Sequence, residues 1–154
     1  MRYFFLRPEP MAAIVRGLGA AAPAVLYRAG YEGGVLSGTR YRELYRETPE
    51  GAVRFMAGMG GQIGWGAMTL RRLDLERREL VLEVVGSPFA EGMAPAPEPV
   101  CHLLRGVFGG LAEGLLGWTA EARETGCAAT GRPSCVIEVR DGSAGRSAPA
   151  TGGR

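Results

Sequence analysis

Apolar and polar positions along the chain divide it into helix-like and strand-like stretches. Met11 to Tyr27 places Met11, Ile14, Val15, Leu18, Ala21, Ala22, Val25 and Leu26 at helical spacing, with Pro10 near the start, so a helix is expected there, divided at Pro23. Before it, Tyr3 to Leu6 is a short apolar run interrupted by Pro8 and Pro10, suited to an edge strand or an arm. Gly30 and the Gly33-Gly34 pair read as punctuation, followed by a weakly periodic segment from Val35 to Arg46. Thr48-Pro49-Glu50 has the form of a helix start, with Thr48 as N-cap and Pro49 at the first helical position. Val53, Met56, Ala57 and Gly60 share one side of that helix. It should end in the stretch Gly58 to Gly66, where five glycines in nine residues allow a tight turn.

Beyond Trp65 the period changes. Ala67 to Leu73 and Glu79 to Val85 alternate or run apolar around a charged connection, which predicts a β-hairpin. Four prolines make Ser87 to Pro99 a loop. A helix is expected from about Glu98 to Leu116, with Val100, Leu103, Leu104, Val107, Phe108, Leu111 and Leu115 on one face. Gly106, Gly110 and Gly114 lie four residues apart inside it, each costing about 1 kcal/mol against alanine, and close approach of another backbone would offset that cost. Thr119 to Thr125 and Ser134 to Val139 predict a second hairpin. The order of elements predicts an α+β fold: an antiparallel sheet from two hairpins, packed with several helices. One domain over 1–140 and a disordered tail over 141–154 are the expected organisation.

Composition narrows the chemistry. The 154 residues suit one domain, and a net charge of +2 from 18 basic and 16 acidic residues offers no broad footprint for nucleic acid. Every basic residue is arginine, so lysine-dependent phosphate loops and Schiff bases are excluded. The single histidine, His102, rules out multi-histidine metal sites, and no serine stands in a nucleophile elbow. Together with the missing dinucleotide fingerprint, this makes an enzyme the less favoured reading. The glycine-rich stretch lacks the spacing of a nucleotide loop. No run of 18 apolar residues suggests a membrane span, the N-terminus does not read as a signal peptide, and a cytoplasmic protein is expected. Arg71, Arg72, Arg77 and Arg78 form a basic hairpin, read as a solvated face.

Three cysteines remain: Cys101, Cys127 and Cys135. An odd number without an export signal argues against a disulfide framework. A hairpin would bring Cys127 and Cys135 together, Glu124 points at the same turn, and Cys101 falls at the start of the long helix. Three thiolates and one carboxylate suit a closed tetrahedral Zn²⁺ site. The spacing E-x2-C-x7-C is not that of a standard zinc finger, so packing as small apolar side chains is equally open on spacing alone. Arg105, Arg123 and Arg132 are close enough in sequence to offset the cluster's negative charge. His102 points about 100° away from Cys101 along the helix and is read outside the metal set.

Pro99 to Val139 contains Pro-Val-Cys-His-Leu-Leu-Arg-Gly, Gly-Gly-Leu-Ala-Glu-Gly-Leu-Leu-Gly and Glu-Thr-Gly-Cys-Ala-Ala-Thr-Gly-Arg-Pro-Ser-Cys. It resembles the 4-vinyl reductase domain family, which includes sensory domains of phenol- and xylene-responsive activators, a bacteriochlorophyll-biosynthesis protein and archaeal hydrocarbon-binding proteins. Leu26 to Gly33 and Val84 to Ala90 are similar to its pattern too. The resemblance implies zinc on Cys101, Glu124, Cys127 and Cys135, separated by 23, 3 and 8 residues. It also implies a fold shared with trafficking-complex (TRAPP) subunits and related to haem–nitric-oxide sensors, a homodimer, and a cavity for an apolar, aromatic or tetrapyrrole ligand. Phe55, Met59, Trp65, Phe89, Phe108 and Trp118 are the candidate lining residues, with Met56, Met68 and Met93 beside them. A small-molecule sensor or carrier acting through a partner protein is therefore expected. An accessory role in tetrapyrrole synthesis and a ligand-free interaction module are the alternatives.

Overall fold

The computed structural model describes residues 6–142. Helix α1 spans Pro8–Leu18, α2 Ala22–Leu44 and α3 Pro49–Gln62. Strands β1 (Ala67–Asp74) and β2 (Glu79–Val85) follow, then the single-turn α4 (Pro88–Glu91), α5 (His102–Leu116), β3 (Ala120–Gly126) and β4 (Cys135–Asp141). Two antiparallel hairpins join through β2 and β4 into one sheet of order β1-β2-β4-β3. The expected α+β fold is the observed one.

The first helical region does not break at Pro23. It breaks at Gly19, whose φ of +53° ends α1 while its N–H reaches the carbonyls of Val15 and Arg16. Pro23 lies instead in the first turn of α2, where its missing N–H costs nothing. Of the apolar run proposed as a strand or arm, only Leu6 is among the described residues. At the other end, the chain expected to be tail from residue 141 remains in the sheet for one residue more. Asp141 closes β4, is 5% exposed and pairs with Arg78, and the rest of that tail beyond Gly142 lies outside the described residues.

Gly30 and Gly33-Gly34 do not punctuate either, because α2 runs through them. Its buried Gly30, Gly34 and Gly38 face the glycines of α5. A Cβ on Gly34 would lie 2.3 Å from the Val107 carbonyl oxygen, and one on Gly110 would lie 2.0 Å from that of Tyr31. The cost of the three α5 glycines is thus offset by a helix whose backbone touches theirs.

The inner face of the sheet packs Leu80, Leu82, Val84, Ile137 and Val139 beneath Leu104, Phe108 and Ala112 of α5, all at most 2% exposed. The outer face is charged and paired. Arg71 meets Glu83, Arg72 meets Glu79, Arg78 meets Asp141 and Arg77 meets Asp74, so the basic hairpin carries its own counter-charges.

Helix α3 begins as its sequence dictates. Thr48 has extended backbone angles and its Oγ1 accepts the Gly51 N–H at 3.1 Å. Thr48→Ala is expected to lower stability by about 1 kcal/mol in urea denaturation, with the same slope against denaturant concentration as the unaltered protein.

Contrary to the expectation from composition, the stretch Pro8–Leu44 is long and apolar enough to cross a membrane by length and composition. Its mean hydropathy is 1.3 over 18 residues, although arginines interrupt any purely apolar run. Only 17% of that window is buried. Helix α2 is nonetheless bound along α5 by its glycine face, leaving Val25 46% and Leu36 72% exposed on other sides.

Candidate metal centre and neighbouring cavity

Four elements deliver four donor side chains to one point. Glu124 and Cys135 project from the inner face of the sheet, because inward residues alternate along β3 (Ala120, Ala122, Glu124) and β4 (Cys135, Ile137, Val139). An irregularity in register between Glu124 and Gly126 then bends the chain, and Cys127 opens a 3-10 turn over Ala128–Thr130. The turn is fastened by the Thr130 hydroxyl, which donates to the Cys127 carbonyl at 2.8 Å, and it closes at Gly131 with φ +85°. Cys101 supplies the fourth donor as the N-cap residue of α5, one position before the helix proper. The sequence pattern predicts a helix start at about Glu98; the observed start is His102, so Cys101 sits just outside the first turn.

The ligand atoms of Cys101, Glu124, Cys127 and Cys135 all lie within 4.8 Å of one another. The Cys101 and Cys135 sulfurs are 3.5 Å apart, near the edge of about 3.8 Å that a tetrahedron with metal–sulfur bonds of about 2.3 Å requires. The three cysteines are at most 1% exposed and form no disulfide.

Proton positions in the cluster are far from ordinary. The hydrogen bond with Cys135 and then burial push the Cys101 thiol well above its usual range. Burial raises Cys127 to about 11. Cys135 falls to about 7, chiefly because Cys101 donates to it, helped by the Ala128 N–H at 3.3 Å. Glu124 accepts the Cys101 N–H through Oε2 at 2.9 Å, while its buried Oε1 has no hydrogen-bond partner among the described residues. A buried carboxylate oxygen left in that state is costly. A divalent ion would satisfy it and replace the thiol protons, so the donor set fits a metal of the kind thiolates and carboxylates bind.

His102 is half-buried and its imidazole pKa is lowered, first by burial and then by Arg105. It is not among the four clustered donors. Arg105 lies 4.7 Å from the centre of the Tyr27 ring.

An apolar cavity of about 210 Å³ lies between α2, α3 and α5. Of the six expected lining residues, Met59, Trp65 and Phe108 border it, together with Met56 and Met68. Trp65 also borders a second cavity of about 570 Å³ beneath α1, which Phe89 lines. Phe89 meets Trp65 edge-on at 5.5 Å. Phe55 and Trp118 line neither. Phe55 is 50% exposed and packs on Tyr41 and Tyr45, while Trp118 is 5% exposed within the core. The sequence reading missed Ser37, Tyr41 and Leu44, which α2 brings to the wall. An uninterrupted α2 through Gly38 is the signal that would have found them.

A search of curated protein sequences finds no match. Among solved structures, the chain is similar to the phenol-responsive sensory domain of the transcription activator PoxR with phenol. Identity is 20% and the TM-score 0.80, covering 92% of this chain and 77% of that one. A vinyl-4-reductase family protein from Methanocaldococcus jannaschii matches at 16% identity and TM-score 0.58, covering 86% and 74%. Subunit 3 of a trafficking protein particle complex from Naegleria fowleri, covalently bound to palmitic acid, matches at 19% and 0.61, covering 86% and 93%. These likenesses show the fold, including its relation to a trafficking-complex subunit. The sequence profile of the vinyl-4-reductase (V-4-R) domain matches residues 80–141, the span from β2 to β4 that contains all four clustered donors, and through that span the chain carries a domain of the vinyl-4-reductase family.

Proposed function

We propose that the chain is a small-molecule sensor or carrier domain, held together by Zn²⁺ and taking a small apolar or aromatic guest. The observation that carries this reading is the pairing of a buried Cys₃Glu cluster with a cavity walled by methionine and aromatic side chains. Cys101, Glu124, Cys127 and Cys135 would hold the metal. With four protein donors and no open position, its contribution would be to cross-link the start of α5 to the second hairpin.

Size favours a compact guest. An apolar cavity of about 150 Å³ is enough for benzene, so about 210 Å³ suits a single aromatic ring with a small substituent. A tetrapyrrole belongs with ligands whose pockets run from about 300 Å³ upward. That disfavours the accessory role in pigment synthesis, and a cavity closed by its own side chains would favour a ligand-free interaction module. The PoxR domain supports the sensor reading, since it is a phenol-responsive relative in fold. A homodimer would cover the exposed Ile14, Val25 and Leu36 of the first two helices. Output would pass to a partner protein, in the cytoplasm.

The test is native mass spectrometry with metal analysis, followed by titration with phenol and toluene. One zinc per chain and saturable uptake of one of these ligands are expected. Met59→Trp, which fills the cavity, should weaken that uptake at least tenfold and leave the zinc in place. A tetrapyrrole-coloured protein would support the pigment reading. Zinc without any uptake would support the interaction module.

A further inference from the structure

Ser87 occupies an unusual place between the metal cluster and the cavities. It is the N-cap residue of α4, a position where a serine hydroxyl ordinarily accepts a backbone N–H of the first turn. Here it caps nothing. The side chain, 2% exposed, turns instead to the Cys101 sulfur at 3.7 Å. The carbonyl of Ser87 meanwhile accepts the N–H groups of Ala90 and Glu91, so the turn that fixes the hydroxyl is itself closed.

The segment that carries Ser87 is also cavity wall. Gly86, Pro88 and Phe89 line the cavity under α1, and Phe89 touches Trp65, the side chain shared by both cavities. Farther along, the Ala96 N–H donates to the Ala129 carbonyl at 2.8 Å, inside the turn between Cys127 and Cys135. This loop is thus fastened to the cluster at two points and faces the guest between them.

Resting on the zinc and cavity assignments above, we propose that Ser87 is a positioning residue that donates its hydroxyl hydrogen to the Cys101 thiolate and joins metal retention to cavity occupancy. A thiolate accepts this bond more strongly than a thiol does, because its charge is greater. A guest that packs against Trp65 and Phe89 would hold the loop in the geometry that keeps the bond, and linkage requires the metal to favour the guest in return.

The test follows zinc transfer from the whole protein to a chromophoric chelator, with and without toluene, and records the thiolate-to-metal charge-transfer band of the cobalt-substituted form. In the unaltered protein, toluene should slow zinc transfer about threefold or more. Ser87→Ala should lose about tenfold in zinc affinity, lose the toluene effect, and show the cobalt band at longer wavelength because the thiolate is no longer stabilised. Ser87→Thr, which keeps the hydroxyl, should restore the band. Unchanged affinity and spectrum in Ser87→Ala would overturn the assignment. If that variant does not fold, toluene-independent zinc transfer in the unaltered protein would overturn it equally. An unaltered protein without zinc, or one that takes up no toluene, would fail at the preceding reading and would be identified before any variant is made.

Discussion

Gly110→Ala is expected to destabilise the fold by about 3 kcal/mol or more in equilibrium urea denaturation. The added Cβ would stand 2.0 Å from the Tyr31 carbonyl oxygen and 2.7 Å from the Val35 nitrogen, both backbone atoms of α2. Neither can move aside as a side chain would, so α2 and α5 must separate. That separation reaches the cavity, which Ser37 and Tyr41 of α2 line with Val107, Phe108 and Leu111 of α5. Gly33→Ala is the internal control. Gly33 lies in the same helix as the buried stripe but a Cβ there meets nothing within 4 Å, so alanine should stabilise by about 0.5–1 kcal/mol through helix propensity. Opposite signs for the same chemical change would show that the close approach, and not glycine flexibility, is what the stripe provides. Equal effects at the two positions would refute it.

The second large effect is expected at the cluster. Cys135→Ala should remove bound zinc and lower stability by more than about 3 kcal/mol. This sulfur bridges three parts of the site: it accepts the Ala128 N–H, contacts the Cys101 sulfur and stands at the start of β4 beside Val84 of β2. Chelation of the unaltered protein should cause a comparable fall, because a metal that binds only the folded chain stabilises it in proportion to its occupancy. Glu124→Gln should be milder, since the glutamine side chain keeps an oxygen acceptor but loses the charge. Thermal unfolding with and without chelator, read beside metal content, checks all three. A Cys135→Ala protein as stable as the unaltered one, with chelator inert on both, would show three packed cysteines and no metal centre.

Much of this architecture is legible in the residues because local chemistry decides it. Strand β2 falls at Glu79–Val85 as its alternation predicts, and Thr48 caps α3 because threonine followed by proline at that position has few other uses. The glycines of α5 announce a close backbone neighbour through their fourfold spacing. The identity of that neighbour was present too, since Gly30, Gly34 and Gly38 repeat the same spacing. Those residues read as loop signals because glycine is poor in helices unless tertiary packing offsets its cost, and packing is not local. The same limit separates Phe108 from Trp118. Both are large, apolar and buried, but which one borders a void depends on how α2 lies across α5. The four donors are a different matter. Their chemistry is unusual enough, in a chain with one histidine and three cysteines, that residue type narrows the choice before geometry does.

Zinc-edge X-ray absorption on the purified protein tests the central claim most directly. The expected spectrum shows one zinc per chain with three sulfur neighbours at about 2.3 Å and one oxygen neighbour at about 2.0 Å. A metal-free protein, or a zinc surrounded by nitrogen and water oxygen in place of sulfur, would contradict it.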